Sequence, residues 1–106
     1  MDLVGQDVAE LELDAPAAQV EVALLSRNRL AGLGFISRLP GLRVLHVDDC
    51  GLTDHMLTSL ADVPHLRVLI ARGNRLQTPV LPDSAEIVDV SLNPLRDVRF
   101  SQSYQC

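Results

Sequence analysis

The sequence predicts an α/β repeat protein in which four short parallel strands lie side by side, and three observations lead to this fold class. Four segments follow the pattern L-x-x-L-x-L-x-x-N-x-L with small variations, beginning at Val20, Leu42, Leu66 and Ala85. These starts are 22, 24 and 19 residues apart, and self-similarity at such a period is the signature of stacked repeats. The candidate core is also aliphatic, because the chain has two Phe, one Tyr and no Trp.

Residues 1–19 do not complete the pattern and are predicted to form an N-terminal cap. Val8–Leu13 matches the first half of the pattern and alternates apolar with acidic residues, which favours a strand. Pro16 then stands in the position of the Asn. The next repeat starts at Val20, only 12 residues after Val8. This leaves too short a connection for a parallel crossover, which needs about a dozen or more residues between the two strands. We therefore expect Val8–Leu13 to turn and pair antiparallel.

The first two repeats differ in the segment that follows the strand. Gly32 and Gly34 disfavour a long helix after the first strand, so a 3₁₀ turn or a short helix is predicted around Phe35–Arg38. After the second strand, Thr53 or Asp54 is placed to cap a helix.

The last two repeats have less room for a helix. Pro79 and Pro82 exclude one after the third strand, so that segment is predicted to be extended. After the fourth repeat, residues 96–106 are expected to cover the last coil and to end in a tail. The whole of 1–106 is thus predicted to be one domain.

One polar position recurs inside the pattern at the point where the chain leaves each strand. It holds Asn in three repeats and Cys in the second: Asn28, Cys50, Asn74 and Asn93. An Asn side chain both donates and accepts hydrogen bonds, so it can bridge consecutive coils. A Cys does so only weakly, and coil two is therefore a predicted weak point.

These segments resemble leucine-rich repeats. The first unit resembles the 22-residue intracellular class, and the second resembles the cysteine-containing, ribonuclease-inhibitor-like class. The resemblance implies a right-handed solenoid with a concave parallel sheet, short helices or turns on the convex side, and a β-type N-terminal cap. It also implies a non-enzymatic intracellular binding or scaffold module. Relatives with 22-residue repeats include phosphatase regulatory subunits, dynein light chains and splicing factors.

The pattern also indicates which side chains face outward from the concave side of the sheet. One column is apolar in all four repeats: Val22, Val44, Val68 and Ile87. Leu24 and Ile70 adjoin it, and we call these six residues the apolar band. The other residues assigned to the binding face surround the band: Arg27, Arg43, His46, Asp48, Asp49, Arg67, Arg72, Asp89 and Leu92. An exposed apolar area with a polar rim is typical of an interaction site, and we expect the helix or extended peptide of another protein to bind there.

Composition argues against several other functions. The net charge is −5, which is unlike the clustered positive charge of a nucleic-acid-binding surface. No apolar run approaches the roughly 20 residues that a membrane-spanning helix needs. Two cysteines make no disulfide framework, and without a signal peptide the expected location is cytoplasmic, with a cytoskeletal or nuclear assembly left open.

No catalytic, cofactor or metal site is predicted. A cluster of potential metal ligands occurs in the sequence: His46, Cys50, Asp54, His55 and His65. The repeat geometry places them on different faces, so they do not converge on one ion. Asp48 and Asp49 are expected to form solvated ion pairs with Arg72 and Arg27 of neighbouring repeats.

A second interpretation is kept beside partner binding. The chain would then be the N-terminal structural domain of a larger protein, and it would dock or self-associate through the open sheet edge at the last repeat. An uncovered edge strand is a template for further strand pairing.

Overall fold

A computed structural model describes residues 1–7, 17, 19–63, 65–82 and 84–100. These residues form six strands: β1 (Val22–Leu24), β2 (Val44–His46), β3 (Val68–Ile70), β4 (Val80–Leu81), β5 (Ile87–Asp89) and β6 (Arg99–Phe100). They also form two 3₁₀ helices, Gly34–Arg38 and Asp54–Asp62.

The main sheet is parallel and has the strand order β1–β2–β3–β5. Each strand occupies the third to fifth positions of one repeat segment. Its register joins three rows of residues that hold equivalent positions in the pattern. The outer rows are Val22, Val44, Val68 and Ile87, and Leu24, His46, Ile70 and Asp89; the central row is Ala23, Leu45, Leu69 and Val88.

The central row points into the core because side chains alternate across a strand. Ala23, Leu45 and Leu69 are fully buried there. Each coil adds further aliphatic residues from its turn and from its return segment, including Leu33, Leu39, Leu57, Leu60 and Leu66. Burying one such side chain contributes about 1.5–3 kcal/mol, but only the neighbouring coils can exclude water from it.

The recurring Asn side chains connect neighbouring coils. Nδ2 of Asn74 donates to the carbonyl of Val47 in the preceding coil and to that of Ala71 in its own, both at 3.0 Å. Nδ2 of Asn93 donates likewise to Ala71 at 3.0 Å and to Val90 at 2.8 Å. These bonds give partners to backbone carbonyls at the turn, which would otherwise be buried without one.

A left-handed residue follows each strand of the main sheet, directly before the Asn or Cys position. Its φ is +59° at Arg27, +53° at Asp49, +67° at Gly73 and +59° at Leu92. Gly adopts this conformation without steric cost and Asp tolerates it, so Arg27 and Leu92 carry the most strain. Gly73 has a second constraint, because a Cβ there would collide with Oδ1 of Asp49.

The outer edge of β1 is paired with the first residues of the chain. The N–H of Leu3 donates to the carbonyl of Leu24, and the N–H of Leu24 donates to the carbonyl of Met1, both at 2.8 Å. Asp2 bridges Leu24 in the parallel direction. The predicted antiparallel strand Val8–Leu13 lies outside the described residues, and the sequence pattern gave no sign of the pairing by Met1–Leu3.

The segment after β2 forms a 3₁₀ helix, but its cap differs from the prediction. Thr53 precedes the 3₁₀ helix without a side-chain hydrogen bond to it. The carboxylate of Asp54 accepts instead from the backbone N–H groups of Gln77 at 3.0 Å and Thr78 at 3.1 Å, in the next coil. Asp54 therefore links two coils, because the backbone N–H groups that follow the third strand lie within hydrogen-bonding distance of its carboxylate.

Two features distinguish the end of the repeat array. The extended segment after the third strand forms β4, which pairs in parallel with β6 in a separate two-stranded sheet. The core positions of the fourth coil are incompletely covered by the described residues. Leu95 is 38% exposed, whereas its equivalents Leu52 and Leu76 are fully buried. Val88 and Val90 are likewise only partly buried.

Candidate binding surface

The apolar band lies on the face of the main sheet opposite the core. Its row from Val22 to Ile87 crosses all four strands in register. Val22 and Ile87, at the two ends, are 41% and 59% exposed, while Val44 and Val68 between them are half-buried. Neighbouring side chains thus cover the middle of the row in part but leave it accessible.

Charged residues along one side of the band pair with each other across strands. Arg43 lies 3.7 Å from Glu21. Arg67 donates from Nη1 to Oε2 of Glu86 at 3.1 Å. All four side chains are more than half exposed, so each pair contributes little to stability, about 0–1 kcal/mol. Their effect is to leave this rim close to neutral.

The opposite side of the band holds a network centred on Arg72. Its Nε donates to Oγ of Ser91 at 2.9 Å and lies 3.7 Å from Oδ2 of Asp89. Oδ1 of Asp89 in turn accepts from the hydroxyl of Ser91 at 2.6 Å and from its backbone N–H at 3.0 Å. These Ser91 hydrogen bonds, assisted by the Arg72 charge, hold the pKa of Asp89 below its usual value.

The expected ion pairs of Asp48 and Asp49 do not form. Oδ1 of Asp48 accepts from the backbone N–H of Arg72 at 2.8 Å, while the Arg72 guanidinium extends to the following coil. No ion pair joins Asp49 to Arg27 in the described part of the chain. Both of these residues lie at the left-handed turns beyond β1 and β2, as Leu92 does beyond β5, so they border the band rather than project from a strand.

His46 occupies the centre of the sheet face. It is half-buried between Leu24 on β1 and Ile70 on β3, its partners in the strand register. This imidazole interrupts the second apolar row and supplies a hydrogen-bonding group in the middle of an otherwise aliphatic surface.

A shallow cleft of about 510 Å³ lies beside the turns, outside the apolar band. Arg29, Asp49, Gly51 and Arg75 contribute to its wall. Sequence reasoning did not single out Arg29 or Arg75. Both residues hold the tenth position of the repeat pattern. The alternation of Arg29, Gly51 and Arg75 in that position is the sequence feature from which the cleft could have been predicted.

The residues considered as metal ligands do not form a cluster in the part of the chain that the structure describes. Cys50 is buried, and its thiol donates to the carbonyl of Leu25 at an Sγ–O distance of 3.1 Å. Burial raises the pKa of this thiol, although backbone N–H groups of the preceding turn oppose the effect. Within the described ranges, no three potential metal ligands come together. No helix in those same ranges has the length and apolarity needed to cross a membrane.

Searches with family models, of curated proteins and of solved structures find no match to this chain.

Proposed function

We propose that the chain is a non-enzymatic leucine-rich-repeat module that binds a protein partner on the apolar face of its main sheet. The observation that carries the proposal is the in-register apolar row of Val22, Val44, Val68 and Ile87, whose ends are well exposed. What supports the repeat assignment is the pairing of equivalent pattern positions in neighbouring strands. An intracellular location is part of the same proposal and rests on the sequence alone.

The dimensions of the row suit one helix or one extended peptide. Parallel strands lie roughly 4.8 Å apart, so the row across four strands is about 14 Å long. This length equals about two and a half turns of an α-helix. A helix lying across the strands would place residues at i, i+3 or i+4, and i+7 on the row, which is a recurrent way to bind an amphipathic helix.

The charges beside the band favour a specific orientation of the partner more than they add affinity. Arg43 and Arg67 already have acidic partners at their own rim, so the partner need not neutralise them. His46 offers a hydrogen bond at the centre, where a purely aliphatic partner would leave it unsatisfied. Polar groups so placed discriminate among partners.

The test uses a double substitution, Val44→Glu with Val68→Glu, against the matched control Val80→Glu. Val80 is also a strand valine, but it is exposed and lies in the two-stranded sheet. We expect the immobilised double variant to lose proteins that the wild-type domain and V80E both capture from a cell lysate. A double variant with a native circular-dichroism spectrum that captures the same proteins would place binding elsewhere.

Assembly through the end of the sheet is the second candidate function. It is favoured by the incomplete cover of Leu95, Val88 and Val90 and by the position of β5 at the end of the described sheet. Size-exclusion chromatography with light scattering separates the two candidates. A dimer that the substitution Leu95→Glu converts to a monomer supports assembly, whereas a monomer at high concentration excludes self-association.

A further inference from the structure

Two arginines flank a glycine in three consecutive coils. Arg29, Gly51 and Arg75 each follow the Asn or Cys position by one residue, and all three contribute to the cleft beside the turns. Gly51 has a φ of +70°, and apart from its two neighbours in the chain no residue has an atom within 4 Å of the point where its Cβ would be. Its missing side chain therefore leaves an open space between two guanidinium-bearing coils. We call these three residues the arginine notch.

The arginines of the notch differ from those of the sheet face. Arg43, Arg67 and Arg72 each have an acidic partner within 4 Å. Arg29 and Arg75 are exposed, and neither forms an ion pair within the described residues. With parallel strands roughly 4.8 Å apart, the backbones of the two arginines lie about 10 Å apart, and both residues line the same cleft.

We propose that the arginine notch binds a carboxylate side chain from an acidic segment of a partner protein. A guanidinium presents its donors in a planar fork that matches the two oxygens of a carboxylate. Two such forks on either side of an empty position form a site for one anionic group. Arg43, Arg67 and Arg72 on the sheet face already have acidic partners, so the notch arginines are more available to an acidic segment.

Asp49 provides an internal check on the proposal. Asp49 also lines the cleft, so its negative charge lies near the place that the anion would occupy. If an anion binds between Arg29 and Arg75, removal of this charge must strengthen binding. Asn is a suitable replacement because it keeps the size of the side chain and tolerates the left-handed backbone of this position.

The notch shares no residue with the apolar band, so the inference stands independently of the proposed function. Loss of binding at the band through V44E and V68E leaves the notch intact. Loss of the notch arginines leaves the band intact.

The experiment is a titration of the ¹⁵N-labelled full chain with acetylated pentaglutamate amide. The readout is the change in the amide chemical shift of Gly51. Pentaglutamine of the same length is the uncharged control, and inorganic phosphate is a separate arm. We expect saturable shifts with pentaglutamate only. The substitutions Arg29→Gln and Arg75→Gln together should weaken binding by at least about threefold, and Asp49→Asn should strengthen it by about twofold.

A matched arginine supplies the remaining control. Arg38 is exposed on the first 3₁₀ helix, away from the cleft, so Arg38→Gln should leave the titration unchanged. Equal weakening by R38Q would show only general charge attraction and would overturn the proposal. Unchanged binding in R29Q/R75Q would do the same. Saturation by phosphate without saturation by pentaglutamate would show that the notch binds a small free anion rather than an acidic peptide, and would overturn the proposal.

Discussion

The side chain of Asn74 holds the backbone of Cys50 in the preceding coil. Oδ1 of Asn74 accepts from the N–H of Cys50 at 2.9 Å and from the N–H of Leu52 at 3.0 Å. Its Nδ2 donates to two carbonyls at the same time. Cys50, in the equivalent position one coil earlier, has only a thiol for the same task and donates to Leu25.

Replacement of Asn74 by Ala should cost about 3 kcal/mol of unfolding free energy. Two backbone amides and the carbonyl of Val47 would lose this partner in a buried place, while the carbonyl of Ala71 keeps its hydrogen bond from Asn93. Each buried group left unsatisfied costs about 1–3 kcal/mol. Asn93→Ala is the matched control. Asn93 lies in the partly exposed fourth coil, where water can replace the lost bonds, so about 1 kcal/mol is expected. Urea denaturation measures both, and equal losses would contradict this account.

Replacement of Cys50 by Asn should stabilise the protein by about 1 kcal/mol. An Asn at this position restores a donor and an acceptor where the thiol makes weak bonds, and one net hydrogen bond contributes about 0.5–1.5 kcal/mol. Cys50→Ala removes the thiol without adding an amide and should destabilise. Thermal unfolding of the three proteins provides the comparison. A C50N variant less stable than wild type would show that coil two is packed specifically around sulfur.

The left-handed turns predict opposite effects for two substitutions. Leu92→Gly should stabilise by about 0.5–1 kcal/mol, because relief of a cost of about 1–2 kcal/mol exceeds the added entropy of an unfolded glycine. Little packing is lost, since Leu92 is 74% exposed. Gly73→Ala should destabilise by more than 1 kcal/mol, because it adds this strain and a clash with Asp49. Urea denaturation of G73A with and without Asp49→Gly separates the two contributions.

Asp89 predicts a pH dependence of stability. Its pKa is lowered in the folded protein from the ordinary value of 3.8, so the folded state binds the proton less readily than the unfolded state. The stabilisation is therefore present above pH 3.8 and is lost as the pH falls through the folded pKa. The difference in unfolding free energy between wild type and Asp89→Asn should shrink below that pH. A difference that stays constant down to pH 2 would contradict the prediction.

Much of the main sheet could be predicted because its positions are specified locally. A strand residue such as Leu45 or Leu69 is apolar at a fixed distance from the next Asn or Cys, and the repeat register then determines its neighbours. The rows that form the apolar band follow directly. The bridging hydrogen bonds of Asn74 could also be predicted, because one amide side chain at a turn can satisfy several backbone groups.

Other features depend on long-range choices that the pattern does not encode. The short strand β6 carries too few residues for a periodicity, so its pairing with β4 left no sequence signal. The sequence allows Asp54 either to cap its own helix or to bond to the next coil. In the structure its carboxylate accepts from the backbone N–H groups of Gln77 and Thr78 in the next coil. The Arg72 side chain extends toward Asp89 rather than Asp48, and the repeat pattern does not specify this rotamer.

The described residues cover the fourth coil less completely than the first three, so stability is expected to differ between the two ends of the main sheet. Met1–Leu3 is hydrogen-bonded along the outer edge of β1, whereas within the described sheet β5 has a neighbour on one side only. In the proposed repeat array each coil would be stabilised mainly by the coils it touches. Local opening should therefore start at β5 and advance toward β2, and amide hydrogen exchange should slow progressively along the same direction. A partner that binds at Ile87 would contact the coil whose amides exchange fastest. Its binding should therefore be detected first as slower amide hydrogen exchange in that coil.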